Sequence, residues 1–346
     1  MKKKTSIHDI ARQLNVSSAT VSFVLNGKAV EKRISSALEK KILRFVEKSG
    51  YRPNRVAKSL RTGKSKIIGM LVEGISDPFF ASIARIIEEK AYQYDYKIFY
   101  SSTNNDTAIT KELIKVYRDT QVDGYIIAPP PGIEEDVRAL MEDNFPVVLF
   151  DRYFPNLATN NVVVDNFNGS FLAIQHFRQN GYRHIGLVTL DSRQTQMTDR
   201  LNGYVDTMKE NKLNKYTLKV SFGKNHSLTV EKVKAFLQKN PELNALLFAT
   251  NYLAIAGLEA IAALGLRIPE DIAVIGFDDN THFGLFSPSI TAVAQPVQAI
   301  SEEVIRNLIG CLSGPEKILP KETVVLPVQL IVRESSVPVA ARQPKP

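Results

Sequence analysis

Cysteine and tryptophan are almost missing from this chain of 346 residues, which has one cysteine, Cys311, and no tryptophan. A single cysteine excludes a disulfide framework and a thiolate metal cluster. No apolar run approaches the roughly 18 residues of a membrane span, and the basic start is not followed by the apolar stretch of a secretory signal. We therefore expect a cytoplasmic protein with no membrane partner and with two or three folding units.

Acidic residues are scarce at one end of the chain. Residues 1–66 hold 17 Lys and Arg against 4 acidic residues, a balance of +13, and because the whole chain carries +8, the remainder carries −5. A basic module fused to a mildly acidic body is typical of a nucleic-acid-binding protein, since neutralised phosphates release their counterions. A membrane-surface helix is the alternative explanation. It requires large apolar residues massed on one face, which this module lacks.

Signatures of catalysis and of metal binding are also missing. No G-x-G-x-x-G follows a predicted strand, Thr62–Ser65 lacks the upstream glycine of a phosphate loop, and the five histidines have no metal-ligand spacing. Asp278 and Asp279 follow a predicted strand, where two carboxylates could perform acid–base chemistry or could hold the hydroxyls of a sugar. With no nucleophile and no metal ligands beside them, we favour a binding protein without metal or cofactor over an enzyme.

Three short helices are predicted in the first 50 residues, which we call the head. Apolar residues recur at helical spacing in Ser6–Leu14 and in Ser18–Leu25, and Ser17 precedes the second run as a capping residue. A third helix begins at Ser35 or Ser36 and ends near residue 49. Two helices of about two turns joined by such a short turn form a helix-turn-helix.

A basic stretch, Tyr51–Arg61, follows the head. Val56, Ala57 and Leu60 form one narrow apolar face, and Asn54 is a suitable helix cap. A helix of about eight residues is not stable alone in water. The stretch is therefore either a plain linker or a helix that forms against a partner.

The rest of the chain, which we call the body, alternates β-rich runs with amphipathic segments, and this pattern predicts parallel sheets covered on both faces. About ten strands are too many for one sheet of this length, so we predict an α/β body of two doubly wound sheets of five or six strands with a cleft between them. The predicted strands are Ile67–Val72, Ile98–Ser102, Gly124–Ala128, Val147–Phe150, Val162–Val164, Ile185–Thr189, Leu218–Phe222, Ala245–Ala249, Ala273–Phe277 and Ala292–Gln295.

The runs Ile7–Gly27 and Gly50–Ser65 resemble the lactose/galactose-repressor (LacI/GalR) family. Segments of the body, among them Val147–Arg152 and Ile275–Asp279, resemble the type I periplasmic-binding-protein fold of the same family. The resemblance implies a helix-turn-helix head (1–50), a hinge helix and linker (51–63), an effector-binding and dimerisation body (64–336) and a disordered tail (337–346). The chain would cross between subdomains near residues 163, 292 and 325, which gives subdomain 1 residues 64–162 and 293–324, and subdomain 2 residues 163–292 and 325–336.

The resemblance also implies which residues bind DNA. Ser18 and Ala19 would read base edges, and the polar residues around them would hold phosphates. In the hinge, Leu60 would wedge between base pairs in the minor groove while Val56 packs against the hinge of a second chain. The full predicted set is Ser17, Ser18, Ala19, Thr20, Ser22, Phe23 and Asn26 in the head, and Asn54, Ala57, Leu60 and Arg61 in the hinge.

Phe23 departs from the family pattern, because many members have an arginine there that pairs with guanine. A phenylalanine cannot make that contact but can press on the methyl group of thymine. Alternatively, Phe23 packs in the core of the head.

In the body, the resemblance implies an effector cleft in which aromatic rings cover a sugar and polar side chains at strand ends bind its hydroxyls. Gln194 stands where purine-binding relatives have arginine, which favours a neutral saccharide or polyol. Core packing for Phe79 and Phe222, and a surface or inter-domain ion pair for Arg200 and Asp278, are the alternatives. The predicted effector residues are Phe79, Phe80, Asp151, Gln194, Gln196, Arg200, Phe222, Asn251, Asp278 and Gln295.

Together these features predict a homodimeric transcriptional repressor that binds a pseudo-palindromic double-stranded DNA operator and is controlled by a small ligand. Tetramer-forming members of the family carry an additional leucine-rich C-terminal helix, whereas the tail after Ser336 is short and proline-rich, so the resemblance implies a dimer. An exported solute-binding protein would share the body but would have a signal peptide and no head. An enzyme on a doubly wound fold would need a catalytic constellation that the sequence lacks.

Overall fold

The computed structural model describes residues 5–51, 63–223, 225–313 and 321–338. The chain forms two units, residues 1–65, which include the head, and residues 66–346, which are the body. The predicted hinge residues Asn54, Ala57, Leu60 and Arg61 lie outside the described residues, and so does most of the predicted tail.

The head consists of α1 (Ile7–Leu14), α2 (Ser18–Leu25) and α3 (Ser36–Ser49). Side chains cap each helix at its first turn, because the first backbone N–H groups of a helix lack partners within it. The Ser17 hydroxyl accepts a hydrogen bond from the Thr20 N–H at 3.0 Å, which starts α2 where the sequence predicts it. Of the two predicted starts of the third helix, Ser36 is the first helical residue and Ser35 is its N-cap. The three helices close over a core that contains Ile10, Ala11, Val21, Val24, Ala29 and Ile42.

Two six-stranded sheets form the centre of the body. Each sheet belongs to one of the two subdomains, which we call the first and the second lobe. In the first lobe the strand order is β11-β5-β4-β3-β1-β2, with every pair parallel. In the second lobe the order is β12-β10-β9-β8-β6-β7, with β12 antiparallel to β10. The strands are β1 (Ile67–Val72), β2 (Lys97–Ser102), β3 (Gly124–Ile127), β4 (Val147–Phe150), β5 (Asn160–Val164), β6 (Ile185–Leu190), β7 (Tyr216–Val220), β8 (Ala245–Phe248), β9 (Ala273–Phe277), β10 (Thr291–Ala294), β11 (Thr323–Leu326) and β12 (Gln329–Ile331).

Helices cover both sheets, as parallel strands require. In the first lobe they are α4 (Pro78–Tyr92), α5 (Thr107–Asp119), α6 (Glu134–Glu142) and α11 (Val297–Ser313). In the second lobe they are α7 (Asn166–Gln179), α8 (Thr195–Glu210), α9 (His226–Lys239) and α10 (Asn251–Ala263).

The chain passes between the lobes three times, after Val164, after Ala294 and after Leu326. Each passage comes one or two residues later than the predicted positions near 163, 292 and 325, because β5, β10 and β11 continue to pair beyond them. The short edge strands β11 and β12 were not among the predicted strands. Strand β7 ends at Val220, so Phe222 lies beyond it rather than at its end.

A close approach between α7 and α8 positions one part of the cleft. A Cβ atom on Gly203 of α8 would lie 2.3 Å from the backbone oxygen of Phe167 on α7, so only glycine fits there. This approach lets Arg200 of α8 reach Asn166 at the start of α7, where the Arg200 Nε donates to the Asn166 Oδ1 at 2.8 Å.

Candidate functional site

Polar side chains from both lobes meet in the cleft at the carboxyl ends of the parallel strands, the usual ligand position in such sheets. Asp151 directly follows β4 and Asp278 directly follows β9, both in the left-handed backbone region, with φ of +66° and +70°. Aspartate tolerates this region better than most residues, but it remains strained. Each sheet therefore presents one carboxylate to the cleft at a backbone position that few residues adopt.

Arg200 is the central cation of the second lobe and is buried. Its guanidinium donates to the Ala249 carbonyl at 2.6 Å, lies 3.6 Å from an oxygen of Asp278, and stacks on the Phe277 ring with 3.6 Å between the guanidinium carbon and the ring centre. A charge that is buried with several partners is held in one geometry. Arg200 and Asp278 therefore do form an ion pair, but it is a buried pair within the second lobe that lines the cleft, not a pair on the surface.

Arg152 is the matching cation of the first lobe, and it was not among the predicted site residues. It is buried, lies 3.1 Å from Asp151, donates to Glu73 at 2.7 Å and donates to Asn105 at 3.4 Å. An arginine directly after a strand-end aspartate was the available signal. Its partners come from loops after β1 and β2, which the sequence alone does not bring together.

Carboxylates outnumber guanidinium groups in the cleft, and burial raises the pKa of two of these carboxylates. Burial raises the pKa of Asp151 to about 6, although Arg152 and Arg200 act in the opposite direction. Burial, together with the nearby charge of Asp278, raises the pKa of Asp77 to about 6. Asp77 also caps α4, where its Oδ1 accepts from the Phe79 N–H at 2.8 Å. The site therefore repels further negative charge.

Two aromatic rings line the first-lobe side of the cleft. Phe79 and Phe80 begin α4, are buried, and pack edge to face with ring centres 5.1 Å apart. Phe80 also packs edge to face against Phe150 of β4. Phe79 and Phe80 thus belong to the core and to the cleft wall at once, so the two predicted alternatives do not exclude each other.

Three neighbouring cavities account for all but one of the predicted effector residues. The inner cavity, of about 30 Å³, is lined by Phe79, Phe80, Asp151, Gln196, Arg200 and Asp278. A side cavity of about 60 Å³ is lined by Phe79, Asn251, Asp278 and Gln295. The outer cavity, of about 780 Å³, is lined by Phe222 and Asn251 among others. The structure therefore brings these residues to one cleft but divides them between a tight interior and a wide mouth.

Gln196 and Gln295 each keep an acceptor without a partner in this cleft. Both side chains are buried, and neither Oε1 atom has a hydrogen-bond partner among the described residues. The Nε2 of Gln295 donates to Asp278 at 2.5 Å, which aims its amide at the side cavity. Because an unpaired buried acceptor is costly, the two amide oxygens are suited to a donor on a ligand.

Gln194 lines none of these cavities and instead joins the lobes. Its Nε2 donates to the Asn105 Oδ1 at 3.0 Å and to the Pro129 carbonyl at 3.4 Å, both in the first lobe. The Tyr153 N–H donates to the Thr195 hydroxyl at 3.4 Å beside it. The side chain predicted to contact the effector is therefore a bridge across the cleft.

Asp278 and Asp279 do not form a catalytic pair of carboxylates. Asp278 faces Arg200 and Gln295, whereas both oxygens of Asp279 accept from Arg333, at 2.8 and 2.9 Å. Each is committed to a different partner. Of the two roles open from the sequence, the geometry supports the binding of hydroxyls by Asp278.

In the head, α2 presents the predicted DNA-reading side chains. Ser17 and Ala19 are exposed, and Ser18, which is partly exposed, contacts His8 of α1 at 3.0 Å between the hydroxyl and Nδ1. Asn26 is exposed at the end of α2 and donates to the Ser22 carbonyl at 2.6 Å. His8 was not predicted to belong to this surface.

Phe23 does not pack in the core of the head. It is partly exposed and absent from the cluster that contains Val21 and Val24, and the Lys32 ammonium lies 5.5 Å from its ring centre. The core-packing alternative for Phe23 is therefore excluded, and its ring lies on the surface of α2.

Comparison with known proteins places this architecture in a family. The model of bacterial regulatory proteins of the lacI family matches residues 6–54, and the model of the periplasmic binding protein-like domain matches residues 174–336. The HTH-type transcriptional regulator RegA of Clostridium saccharobutylicum is 32% identical over 341 residues, which cover 96% of this chain and 99% of RegA. The chain belongs to the LacI family of bacterial regulatory proteins. Its fold class and its function as a LacI-type transcriptional regulator, both predicted from sequence, are confirmed.

Other LacI-family proteins and structures are similar over most of their length. The ribose operon repressor of Halalkalibacterium halodurans is 29% identical over 333 residues, covering 96% of this chain and 97% of that protein. The structure of the lac repressor dimer bound to operator matches with a TM-score of 0.84 at 21% identity, covering 97% of this chain and all of that one, and confirms the fold. A regulator from Alkaliphilus metalliredigens, complexed with D-xylulofuranose, matches with a TM-score of 0.70 at 25% identity, covering 79% and 100% of the two chains.

Two further findings concern the described part of this LacI-family chain. None of its helices there is both long and apolar enough to span a bilayer. The same residues contain no group of three or more His, Cys, Asp or Glu side chains arranged to hold a metal ion.

Proposed function

We propose that this LacI-family regulator represses transcription in the cytoplasm by binding a pseudo-palindromic operator as a homodimer, and that a small neutral sugar in the body cleft controls its operator affinity. The observation that carries the proposal is the pair of strand-end carboxylates, Asp151 and Asp278, which meet across the cleft with one buried arginine beside each. A ligand that bonds to both carboxylates contacts both lobes.

The chemistry of the inner cavity suits a sugar. Asp151, Asp278 and the free amide oxygen of Gln196 accept hydrogen bonds, Arg200 donates them, and Phe79 offers an aromatic surface to the C–H face of a ring. Hydroxyls are donors and acceptors at once and therefore match this mixture. The relatives named as ribose operon repressors, and the relative that binds D-xylulofuranose, support a ligand of monosaccharide size.

The remaining predicted effector residues have roles around the inner cavity, in closing the lobes or at the mouth of the cleft. We assign Asn251, Gln295 and Phe80 to the walls around the sugar, Gln194 to closure of the lobes, and Phe222 to the cleft mouth. Because the inner cavity of about 30 Å³ holds only one or two water molecules, a sugar can enter only if the lobes move apart. Effector binding thereby changes the relative orientation of the two lobes. That change of orientation can alter the affinity of a coupled DNA-binding site.

On DNA, we assign base contacts to Ser18, Ala19 and Phe23, and phosphate contacts to the surrounding polar side chains of α2. Phe23 lies on the surface with its ring available to a thymine methyl. The predicted hinge contacts of Asn54, Ala57, Leu60 and Arg61 belong to the same proposal.

The homodimer is supported by apolar side chains around the edge strand of the first lobe. Tyr92 ends α4, Tyr94 lies between α4 and β2, and Phe99 lies on β2; these side chains are between 43% and 68% exposed. Strand β2 is the edge of its sheet, where a second copy can pack with the same surface in return.

We propose binding rather than catalysis because the carboxylates that could have acted as an acid–base pair are committed to separate arginines. The exported solute-binding alternative is disfavoured by the basic head, which such a protein would not need.

The experiment starts from operator fragments selected from random DNA by the full-length protein. Fluorescence anisotropy then measures operator affinity in the presence of a panel of neutral monosaccharides, with purine bases as a separate arm. We expect at least one monosaccharide to change the affinity severalfold or more, and no purine to do so. A purine that changed it would replace the sugar in this account.

A further inference from the structure

The first helical residue of α2 is held by a side chain of α1. The Ser18 hydroxyl lies 3.0 Å from the Nδ1 atom of His8, within hydrogen-bond distance. The backbone at this point is fixed, because Ser17 caps α2 and accepts a hydrogen bond from the Thr20 N–H at 3.0 Å. A serine side chain on a fixed backbone still has three staggered orientations. The contact with His8 selects the orientation in which the Ser18 hydroxyl meets the imidazole ring.

His8 is exposed, and the side chains that α2 and α3 present to α1 are uncharged. On α1 itself, Asp9 is next to His8 but bonds to the N–H and hydroxyl of Ser6, and Arg12 lies one turn further along. Helix α2 has no charged residue. Helix α3 packs against the other two helices through the apolar side chains of Leu38, Ile42, Phe45 and Val46. The ring of His8 is therefore in contact with solvent and can exchange its proton there.

The protonation state of His8 decides which hydrogen-bonding role is left to Ser18. A serine hydroxyl has one hydrogen to donate and two lone pairs that accept. If the Nδ1 atom accepts, the only hydrogen of Ser18 is used, and the hydroxyl meets a base as an acceptor. If the Nδ1 atom carries a hydrogen, as it always does in the protonated ring, the hydroxyl accepts from it and keeps its own hydrogen for the base.

The two roles suit different base edges in the major groove. Adenine and cytosine present amino groups there, which donate, whereas guanine and thymine present carbonyl oxygens, which only accept. A hydroxyl that can only accept bonds to the first two bases and not to the last two. A hydroxyl that keeps its hydrogen also bonds to guanine and thymine. Histidine changes its charge between pH 5 and pH 8, so a single side chain can give both states.

We propose that His8 is a positioning residue for base reading, which holds the Ser18 hydroxyl as an acceptor when its ring is neutral and frees the hydroxyl to donate when its ring is protonated. The base preference opposite Ser18 therefore changes with pH. The proposal rests on the DNA-binding function proposed above, in which Ser18 contacts a base edge, and it adds the residue that sets the specificity of that contact.

The test uses the full-length protein and four versions of one operator. Selection from random DNA at pH 8 with the wild type and with Ser18→Ala identifies the symmetric position whose preference depends on Ser18. Fluorescence anisotropy then measures the affinity for operators with A, C, G or T at that position, at pH 8 and at pH 5. We expect the better of A and C to bind about fivefold tighter than the better of G and T at pH 8, and this ratio to fall about fivefold at pH 5.

Substitutions of His8 separate positioning from a purely structural role. An asparagine amide reaches the position of Nδ1 and does not titrate, so His8→Asn should keep the preference at pH 8 and lose its dependence on pH. A glutamine amide lies one bond further out, so His8→Gln should reduce the preference to about twofold or less, as should His8→Ala. Alanine also favours helices, so α1 should tolerate that substitution.

Gln13→Ala is the matched control, because Gln13 is exposed on the same helix. It should keep both the base preference and its dependence on pH.

The outcomes separate this proposal from the proposed function. A ratio that is the same at both pH values in the wild type would overturn the role of His8, even if all four affinities fell together. Equal preferences in the wild type and His8→Ala, or no operator position that depends on Ser18, would also overturn it. In each of these cases the protein would still bind an operator, and the proposed function would stand. If the protein selected no DNA sequence, both proposals would fail.

Discussion

Asp151 and Asp278 occupy equivalent positions in the two lobes. Each directly follows a parallel strand, has a left-handed backbone, and donates its N–H to a carbonyl of the neighbouring strand, at 3.1 and 3.0 Å. Each carboxylate also lies beside a buried guanidinium, Arg152 at 3.1 Å and Arg200 at 3.6 Å. The cleft is thus built from two copies of one strand-end arrangement. The affinity of a ligand that contacts both copies depends on the relative position of the lobes.

Arg200→Met should destabilise the body by about 3–5 kcal/mol, because it leaves Asp278 buried beside no cation. Asp278→Asn should lower the free energy of unfolding less in the Arg200→Met variant than in the wild type, since the two residues interact. Urea denaturation of the single and double variants measures both effects.

The matched control is Arg306→Met, which removes an exposed arginine from its pair with Glu303 on α11. Exposed ion pairs contribute little, so the free energy of unfolding should change by less than about 1 kcal/mol. If Arg200→Met and Arg306→Met lowered the free energy of unfolding equally, Arg200 would not be a buried partner of Asp278.

Asp77→Asn should flatten the dependence of stability on pH. The folded-state pKa of Asp77 is raised from 3.8 to about 6, so its contribution to stability is complete below about pH 4 and is lost as the pH rises through 6. Asparagine also caps helices well, which preserves the start of α4. Between pH 5 and pH 7.5, the variant should lose about 1 kcal/mol less than the wild type in urea denaturation. If the variant and the wild type lost the same free energy of unfolding between pH 5 and pH 7.5, Asp77 would have an ordinary pKa.

Gln194→Ala should weaken effector binding about fivefold, because the closed cleft loses the hydrogen bonds of Gln194 to Asn105 and Pro129. Isothermal titration with the sugar found in the panel measures the change. Gln298→Ala serves as the control, since Gln298 bonds within α11 to Glu302 and does not cross the cleft. A direct contact between Gln194 and the sugar would instead make the loss depend on which sugar is used.

The sequence predicted those parts of the fold that depend on local patterns. Helix α2 was placed correctly because Ser17 and the apolar run after it act within one turn. The strand before Asp151 was predicted from its apolar run, whereas Asp151 itself was implied by the family resemblance. Arg152 and Glu73 were missed because they are 79 positions apart and meet only after β1 and β4 pair with β3 between them. Gln194 was predicted to contact the effector, whereas in the structure it bridges to Asn105, a contact that depends on how closely the lobes approach.

Phe23→Arg should change the base preferred at one symmetric position of each half-site from thymine to guanine. Phe23 lies outside the core of the head, so the fold should tolerate the substitution, and arginine can bond to guanine through two donors. Selection from randomised operators with wild type and variant measures the preference. Identical preferences would place Phe23 away from the bases.

Leu60→Ala should reduce specific operator affinity at least about thirtyfold if Leu60 wedges between base pairs, because the bent duplex loses its support. Effector binding and dimerisation should not change, which titration and analytical ultracentrifugation can establish. An unaltered operator affinity would favour the plain-linker alternative for this stretch.

The central claim is that the cleft and the operator site are coupled, and the most direct measurement determines that coupling in both directions. Operator affinity is measured with and without saturating sugar, and sugar affinity with and without saturating operator. We predict the same factor in both directions, about 5- to 150-fold, because binding linkage is reciprocal. If a sugar that demonstrably binds in the cleft left the operator affinity unchanged, that result would contradict the proposed coupling.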